Sequence, residues 1–176
     1  MTAPFNLQRW IEENRALLKP PIGNQQIYKG NDDFIVMVVG GPNARKDYHI
    51  SEGEELFYQL EGTIELWIQE NGHAKMIEIN EGDMFLLPAR VPHSPRRPAN
   101  TIGLVIERYR KEDEMDGCAW YCENCNHTLY KTTFPLKDIV VQLPKMMDGF
   151  YADLELRTCS SCGTVMDTPK PFVRSK

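Results

Sequence analysis

Apolar positions change period once along this chain, and the change divides a short helix from a run of strands. Between Asn6 and Leu18 the residues Leu7, Trp10, Ile11, Leu17 and Leu18 fall on one side at helical spacing, Asn6 stands where an N-cap belongs, and Pro20-Pro21 ends the run. The pattern predicts a helix packed on the outside of the domain. From Gly23 onward the signals are those of strands. Phe34–Val39 is rich in β-branched residues and lies between Gly30-Asn31-Asp32 and Gly40-Gly41-Pro42. Leu56–Gln69 carries two strand patterns broken near Glu61-Gly62. Ile64–Ile68 and Met76–Ile79 flank Asn71-Gly72, the dipeptide that best fits a two-residue hairpin turn. Asn80–Asp83 reads as a further turn, and Met84–Leu87 and Ile102–Tyr109 as further strands. Many short strands without intervening helices predict a closed antiparallel double sheet of the jelly-roll kind.

Beyond residue 110 the pattern weakens. Lys111–Gly117 is a charged stretch and reads as a linker, which divides the chain into a barrel over 1–110 and a C-terminal region over 111–176. Asp138–Tyr151 fits a helix or a strand, and the tail after Gly163 has no period. There is no internal repeat and no low-complexity segment.

Composition narrows the partners. A net charge of −5 without a basic cluster argues against nucleic acid and against an anionic membrane surface. Phe34–Val39, the longest apolar run, is far too short to span a bilayer, and Met1–Asn6 lacks the regions of a signal peptide, so a soluble cytoplasmic protein is expected. Four of the five cysteines form two Cys-x-x-Cys pairs, Cys122/Cys125 and Cys159/Cys162. In such a chain these read as a closed four-thiolate site for iron or zinc before they read as disulfides. Cys118 reads as a free thiol.

A second set of donors is split between two segments, Asp47–Glu55 and Pro92–Pro98. His49 and Glu55 from the first and His93 from the second make two imidazoles and a carboxylate, the ligand type of an open iron(II) site that activates oxygen. Glu52 and Glu54 are rival carboxylates. Glu55 is preferred because it directly precedes the strand Leu56–Gln59 and has the better spacing to Gly62. Arg45 and Arg97 stand close to the two halves and offer a grip for an anionic substrate. Glu107 sits inside an apolar strand, where an unpaired carboxylate is costly, so a functional partner is expected. Arg90, Arg96, His73 and His127 read as surface residues, with an outer-shell place open to His127, and Trp10, Trp67 and Trp120 as packing.

His49, Glu55 and Gly62 follow the first motif of the cupin superfamily, and Gly82, Pro88 and His93 the second. The departures are a lone His49 after Tyr48, Arg90 in place of a glycine, and Arg97 where an asparagine is often found. Longer strings narrow the resemblance. Leu18–Asn24, Val38–Asn43, Arg45–His49, Glu55–Gln59, Pro92–Pro95, Val105–Glu107, Trp120–Cys122 with Cys125, and Arg157–Cys159 with Cys162 together resemble the 3-hydroxyanthranilate 3,4-dioxygenase family in its bacterial and fungal form.

The resemblance implies an all-β cupin barrel with an N-terminal helix and a small C-terminal metal-binding appendage. It implies that His49, Glu55 and His93 hold catalytic Fe(II) and that Glu55 also borders the substrate. Arg97 would pair with the substrate carboxylate and Glu107 with its amino or hydroxyl group. Arg45 would line the dioxygen side, with Asn24 beside it. Cys122, Cys125, Cys159 and Cys162 would hold a second iron, or zinc, in a rubredoxin-like site. The implied partners are 3-hydroxyanthranilate, dioxygen and a second copy of the chain in a homodimer. The implied reaction opens the aromatic ring to 2-amino-3-carboxymuconate semialdehyde, which cyclises to quinolinate, the precursor of NAD, in tryptophan degradation through kynurenine. Two alternatives are a non-catalytic cupin that binds a small acid and a cupin isomerase using zinc or manganese.

Overall fold

Asn6 does cap the first helix. Its side chain accepts the Arg9 amide at 2.9 Å, α1 (Leu7–Asn14) follows, and a 3-10 turn over Arg15–Leu18 completes the run. The computed structural model describes residues 3–20, 23–29, 33–43, 45–136 and 139–169. The turn expected at Gly30-Asn31-Asp32 and the end of the tail lie outside the described residues. Ile11 and Leu18 pack with Val38 and Ile102 on the outer face of a sheet, as an external helix should.

Among the described residues eleven strands follow: β1 (Asn24–Gln26), β2 (Phe34–Gly40), β3 (Tyr48–Ile50), β4 (Glu55–Glu61), β5 (Ile64–Glu70), β6 (His73–Ile79), β7 (Met84–Leu87), β8 (His93–Arg96), β9 (Ile102–Arg108), β10 (Asp116–Tyr121) and β11 (Thr128–Phe134). They pair antiparallel into two sheets, β1-β2-β9-β4-β7 and β11-β10-β3-β8-β5-β6. This is the antiparallel double sheet of the jelly-roll kind that the strand pattern predicts. At the Asn71-Gly72 turn both residues have positive φ (52° and 79°), as a type I′ hairpin requires, and the turn sets Glu70 opposite His73.

Alternation along the strands decides what faces inward. Glu55, Phe57 and Gln59 of β4 and Gly103, Val105 and Glu107 of β9 are buried and share the inner face. Ile64, Leu66 and Ile68 of β5 join Phe57, Val105, Met37, Ile79 and Leu87 in the main core, which fills the barrel beside the polar residues described below.

The C-terminal region carries the expected cysteine-bearing appendage and is joined to the barrel by strand pairing. Asp116 and Gly117, the end of the charged stretch, open β10, and β10 pairs with β3, so sheet hydrogen bonding runs across the 110/111 division. Charge alone suggested a solvated segment, but Asp116 is fully buried because charged partners neutralise it. Of the ambiguous Asp138–Tyr151 segment, Asp138 lies outside the described residues and the rest falls in α2 (Ile139–Ala152), followed by α3 (Leu154–Arg157). Leu143, Met146, Met147, Phe150 and Tyr151 recur at helical spacing and pack against Trp120 and Cys118 of β10. Trp120 and Phe150 stack with ring centroids 4.3 Å apart. Pro144 inside the helix disguised this period, yet it lies in only the second turn. No helix among the described residues is long and apolar enough to cross a membrane.

Candidate functional site

One sheet contributes two donors and the other sheet one to a single point. His49 on β3 and His93 on β8 are directly opposed across their strands. Glu55 on β4 is opposed to Glu107 on β9 in the other sheet. One donor atom each from His49, Glu55 and His93 lie within 4.8 Å of one another, and all three residues are buried. The rival carboxylates are elsewhere: Glu52 pairs with Arg90 at 2.7 Å, and Glu54 is exposed.

Several contacts prepare this triad for a cation. The Nδ1 of His93 lies 3.0 Å from the Val91 carbonyl, so an N–H donated there leaves the Nε2 lone pair facing inward. His49 Nε2 lies 2.5 Å from Asp116 Oδ2. A neutral ring that donates from Nε2 keeps its lone pair on Nδ1. Glu55 Oε2 is 3.0 Å from His93 Nε2 but is without a satisfying hydrogen bond, a buried acceptor waiting for a positive partner. Burial opposes ionisation of Glu55, but the His93 and His49 rings outweigh it and hold the carboxyl at about 2. An ionised carboxylate and two imidazoles in one buried cluster fit a divalent transition metal with open positions.

The cluster opens into a cavity of about 550 Å³ that brings together the remaining sequence-predicted residues: Asn24, Arg45, Arg97 and Glu107 all line it. Phe57, Val105, Met37 and Val39 supply apolar walls, and Leu143, Pro144 and Met147 of α2 add to the lining. Arg97 is buried and forms no ion pair with a described residue. Its Nη1 reaches Gln59 Oε1 at 3.3 Å and its Nε has no partner. Burial pushes Arg97 down to about 10, the mark of a guanidinium lacking a counter-ion. Arg45 differs, being forked onto Asp47 at 2.6 and 3.2 Å, which fixes it at the cavity edge. Burial and the Glu55 charge push Glu107 up to about 7, against the pull of Arg110.

Some of the supporting residues had no signal in sequence. Asn43 accepts from the Arg97 amide at 3.0 Å and donates to the Pro95 carbonyl at 2.9 Å, tying down the end of β8 where Arg97 follows. Gly103 makes the guanidinium's space: a Cβ there would stand 2.9 Å from Arg97 Nη1 and 2.8 Å from Gln59 Oε1. Gly103→Ala is therefore expected to displace Arg97 and weaken binding of a carboxylate ligand about tenfold while the fold persists, which calorimetric titration would show. Asp47, Asp116 and Arg110 are the other unforeseen partners. The surface reading of Arg96 changes in detail, while Cys118 is the free thiol expected. Arg96 lies over the Trp67 ring at 4.7 Å, and Cys118 is buried 3.7 Å from Asp47, which with burial pushes its thiol up.

The cysteines form a separate centre. Cys122 and Cys162 Sγ atoms are 3.6 Å apart, as are those of Cys125 and Cys159, and all four lie within 4.8 Å. A disulfide needs about 2.05 Å, whereas a tetrahedral metal with bonds of about 2.3 Å spaces its sulfurs about 3.8 Å apart. The two loops share one geometry. In each, the first cysteine's carbonyl accepts from the amide four residues on (Asn126, Gly163) and its own amide donates to the carbonyl five residues on (His127, Thr164). Asn126 and Gly163 both have positive φ, 59° and 76°, as this tight return needs. Ser160 and His127 link the loops at 3.1 Å.

Similarity to known proteins agrees with this geometry. The family model described as 3-hydroxyanthranilic acid dioxygenase matches residues 1–151. A 3-hydroxyanthranilate 3,4-dioxygenase of Xanthomonas euvesicatoria pv. vesicatoria is 56% identical over 169 residues, covering 96% of this chain and 95% of its own. One from Neurospora crassa is 46% identical over 172 residues, covering 97% and 94%. Among solved structures, a cupin-2 domain containing protein from Shewanella frigidimarina matches 59% of this chain and 100% of its own at 19% identity, with a TM-score of 0.47. On the match of the family model and of these relatives, the chain belongs to the 3-hydroxyanthranilic acid dioxygenase family.

Proposed function

We propose that this chain cleaves the ring of 3-hydroxyanthranilate with dioxygen, inserting both oxygen atoms to give 2-amino-3-carboxymuconate semialdehyde, and that iron(II) occupies the His49–Glu55–His93 centre. The observation that carries this reading is Arg97, a buried guanidinium without a counter-ion in the same cavity as an open-type ligand triad. A planar guanidinium suits a carboxylate held by two parallel hydrogen bonds. With the carboxylate on Arg97, the adjacent amino and hydroxyl groups face the triad and Glu107. Iron(II) there supplies redox chemistry that brings ring and dioxygen into reaction.

The chain's own residues do the rest. Phe57, Val105 and Met37 pack the ring and exclude water. Glu107, whose carboxyl burial and the Glu55 charge push up to about 7, takes the hydroxyl proton on its carboxylate. Arg45, fixed by Asp47, borders the dioxygen side, and Asn24 adds a polar contact at the mouth. In this reading the catalytic centre lies within residues 1–110. The cysteine centre lies within 111–176, where it holds iron or zinc for structure, because four thiolates leave no open position. A cytoplasmic homodimer completes the proposal, and light scattering would measure its mass.

The test is oxygen uptake and product absorbance with protein fully loaded with iron(II). No uptake with 3-hydroxyanthranilate would overturn the assignment. Arg97→Ala is expected to weaken apparent substrate affinity by about 30- to 150-fold, the equivalent of about 2–3 kcal/mol for truncating a buried charge pair, with iron content unchanged. Glu107→Gln is expected to lower kcat at least about a hundredfold, the smaller end of what a positioned proton acceptor contributes.

A further inference from the structure

Behind the cavity wall lies a buried ionic chain that joins the two sides of the site. Asp116, fully buried at the start of β10, places Oδ2 2.5 Å from His49 Nε2. Arg110 grips the same carboxylate with one edge of its guanidinium, Nε to Oδ1 at 2.9 Å and Nη2 to Oδ2 at 2.7 Å. Its remaining terminal nitrogen, Nη1, lies 2.7 Å from Glu107 Oε2. The order is therefore His49, Asp116, Arg110, Glu107. Neither Arg110 nor Asp116 lines the cavity, so neither touches a ligand held there.

We propose that Arg110 and Asp116 are positioning residues that act as one unit, setting the orientation of the metal-ligand ring of His49 and of the Glu107 carboxylate together. This rests on the roles given above to His49 and Glu107. Three features support it. A neutral imidazole held by a carboxylate at one nitrogen presents the other nitrogen's lone pair in a fixed direction, and such outer partners tune metal affinity. Asp116 cannot rotate away, because the Arg110 fork fixes the plane of its carboxylate. Moreover, the guanidinium is planar and rigid, so the Nη1 that faces Glu107 and the edge that faces Asp116 move together. A lysine could meet one carboxylate or the other, but its single ammonium cannot hold that plane. The Arg110 Nη1–Glu107 Oε2 contact at 2.7 Å tethers the Glu107 carboxylate to the same rigid guanidinium that holds Asp116.

A purely structural ion pair would stabilise the fold and leave metal affinity alone. The two are separated with Mn(II), which suits nitrogen and oxygen ligands and is disfavoured by thiolates, so it reports on the His49 centre and not on the cysteines. Free Mn(II) is followed by its electron paramagnetic resonance signal during titration of the full-length protein and of Asp116→Asn and Arg110→Lys, each first checked for folding by circular dichroism. Asp116→Asn is expected to weaken Mn(II) binding by about 10- to 100-fold. Arg110→Lys, which keeps the charge, is expected to weaken Mn(II) binding about tenfold and also to raise the KM for 3-hydroxyanthranilate of the iron-loaded protein. Mn(II) affinity within twofold of the unaltered protein, in whichever variant folds, overturns the proposal. So does a KM change in Arg110→Lys without a metal change. The Mn(II) arm needs no turnover, so it holds or fails independently of the ring-cleavage assignment.

Discussion

His93→Ala is expected to abolish turnover while leaving the chain folded and the cysteine centre loaded. Metal analysis should show one equivalent lost and one retained, and oxygen uptake with 3-hydroxyanthranilate should fall at least about a thousandfold. A catalytic metal supplies several kcal/mol of barrier lowering, and each 1.36 kcal/mol is a factor of ten. The substitution acts twice. It removes the Nε2 donor that the Val91 carbonyl helps to aim inward, and it strips Glu55 of the imidazole 3.0 Å away. Retained turnover with an unchanged metal count would place the reaction elsewhere in the molecule.

Cys159→Ser is expected to have the largest effect on stability. Structural four-ligand sites of this kind are associated with about 10–16 kcal/mol of metal-linked folding energy. Losing even about 4 kcal/mol of it would lower Tm by about 8–16 °C in a chain of this size. The reason is local: the cysteine cluster ties the loop after β10 to the loop after α3, beside the apolar cluster built on the Trp120–Phe150 stack. Thermal unfolding followed by circular dichroism, with metal content measured alongside, checks this. Metal loss at constant Tm would show that the cysteine centre does not hold the C-terminal region in place.

These two centres were legible in sequence for different reasons. Cys-x-x-Cys pairs are local patterns, and four thiols in a chain read as reducing leave little besides a metal. His49, Glu55 and His93 needed the two cupin motifs, because nothing local says that strands so far apart in sequence meet. Glu107 stood out as a carboxylate in an apolar strand. Asp116 and Arg110 did not, since charged residues around Lys111–Gly117 look like solvated linker until β10 is seen to pair with β3. Asn43 and Gly103 were invisible for another reason. Their role is to place Arg97 by a main-chain bond and by the absence of a Cβ, and neither leaves a compositional trace. The helical period of Leu143, Met146, Met147, Phe150 and Tyr151 was present and was masked by Pro144. Arg96 was read as a surface charge because its partner, Trp67, lies on another strand.

One strand, β10, begins with the carboxylate behind His49 and runs directly into the first ligand of the cysteine centre, Cys122. At about 3.3 Å per residue the two attachments stand about 20 Å apart, joined by a single pleated segment. Side chains alternate faces along it, so a one-residue insertion between Gly117 and Tyr121 could keep its pairing correct at one end only. If Cys122 stayed in place, Asp116 would turn away from the imidazole; if Asp116 stayed, the thiolate would leave its tetrahedron. The length of β10 is thus a ruler shared by both metal centres, and a frame-preserving indel there should cost the chain one metal or the other.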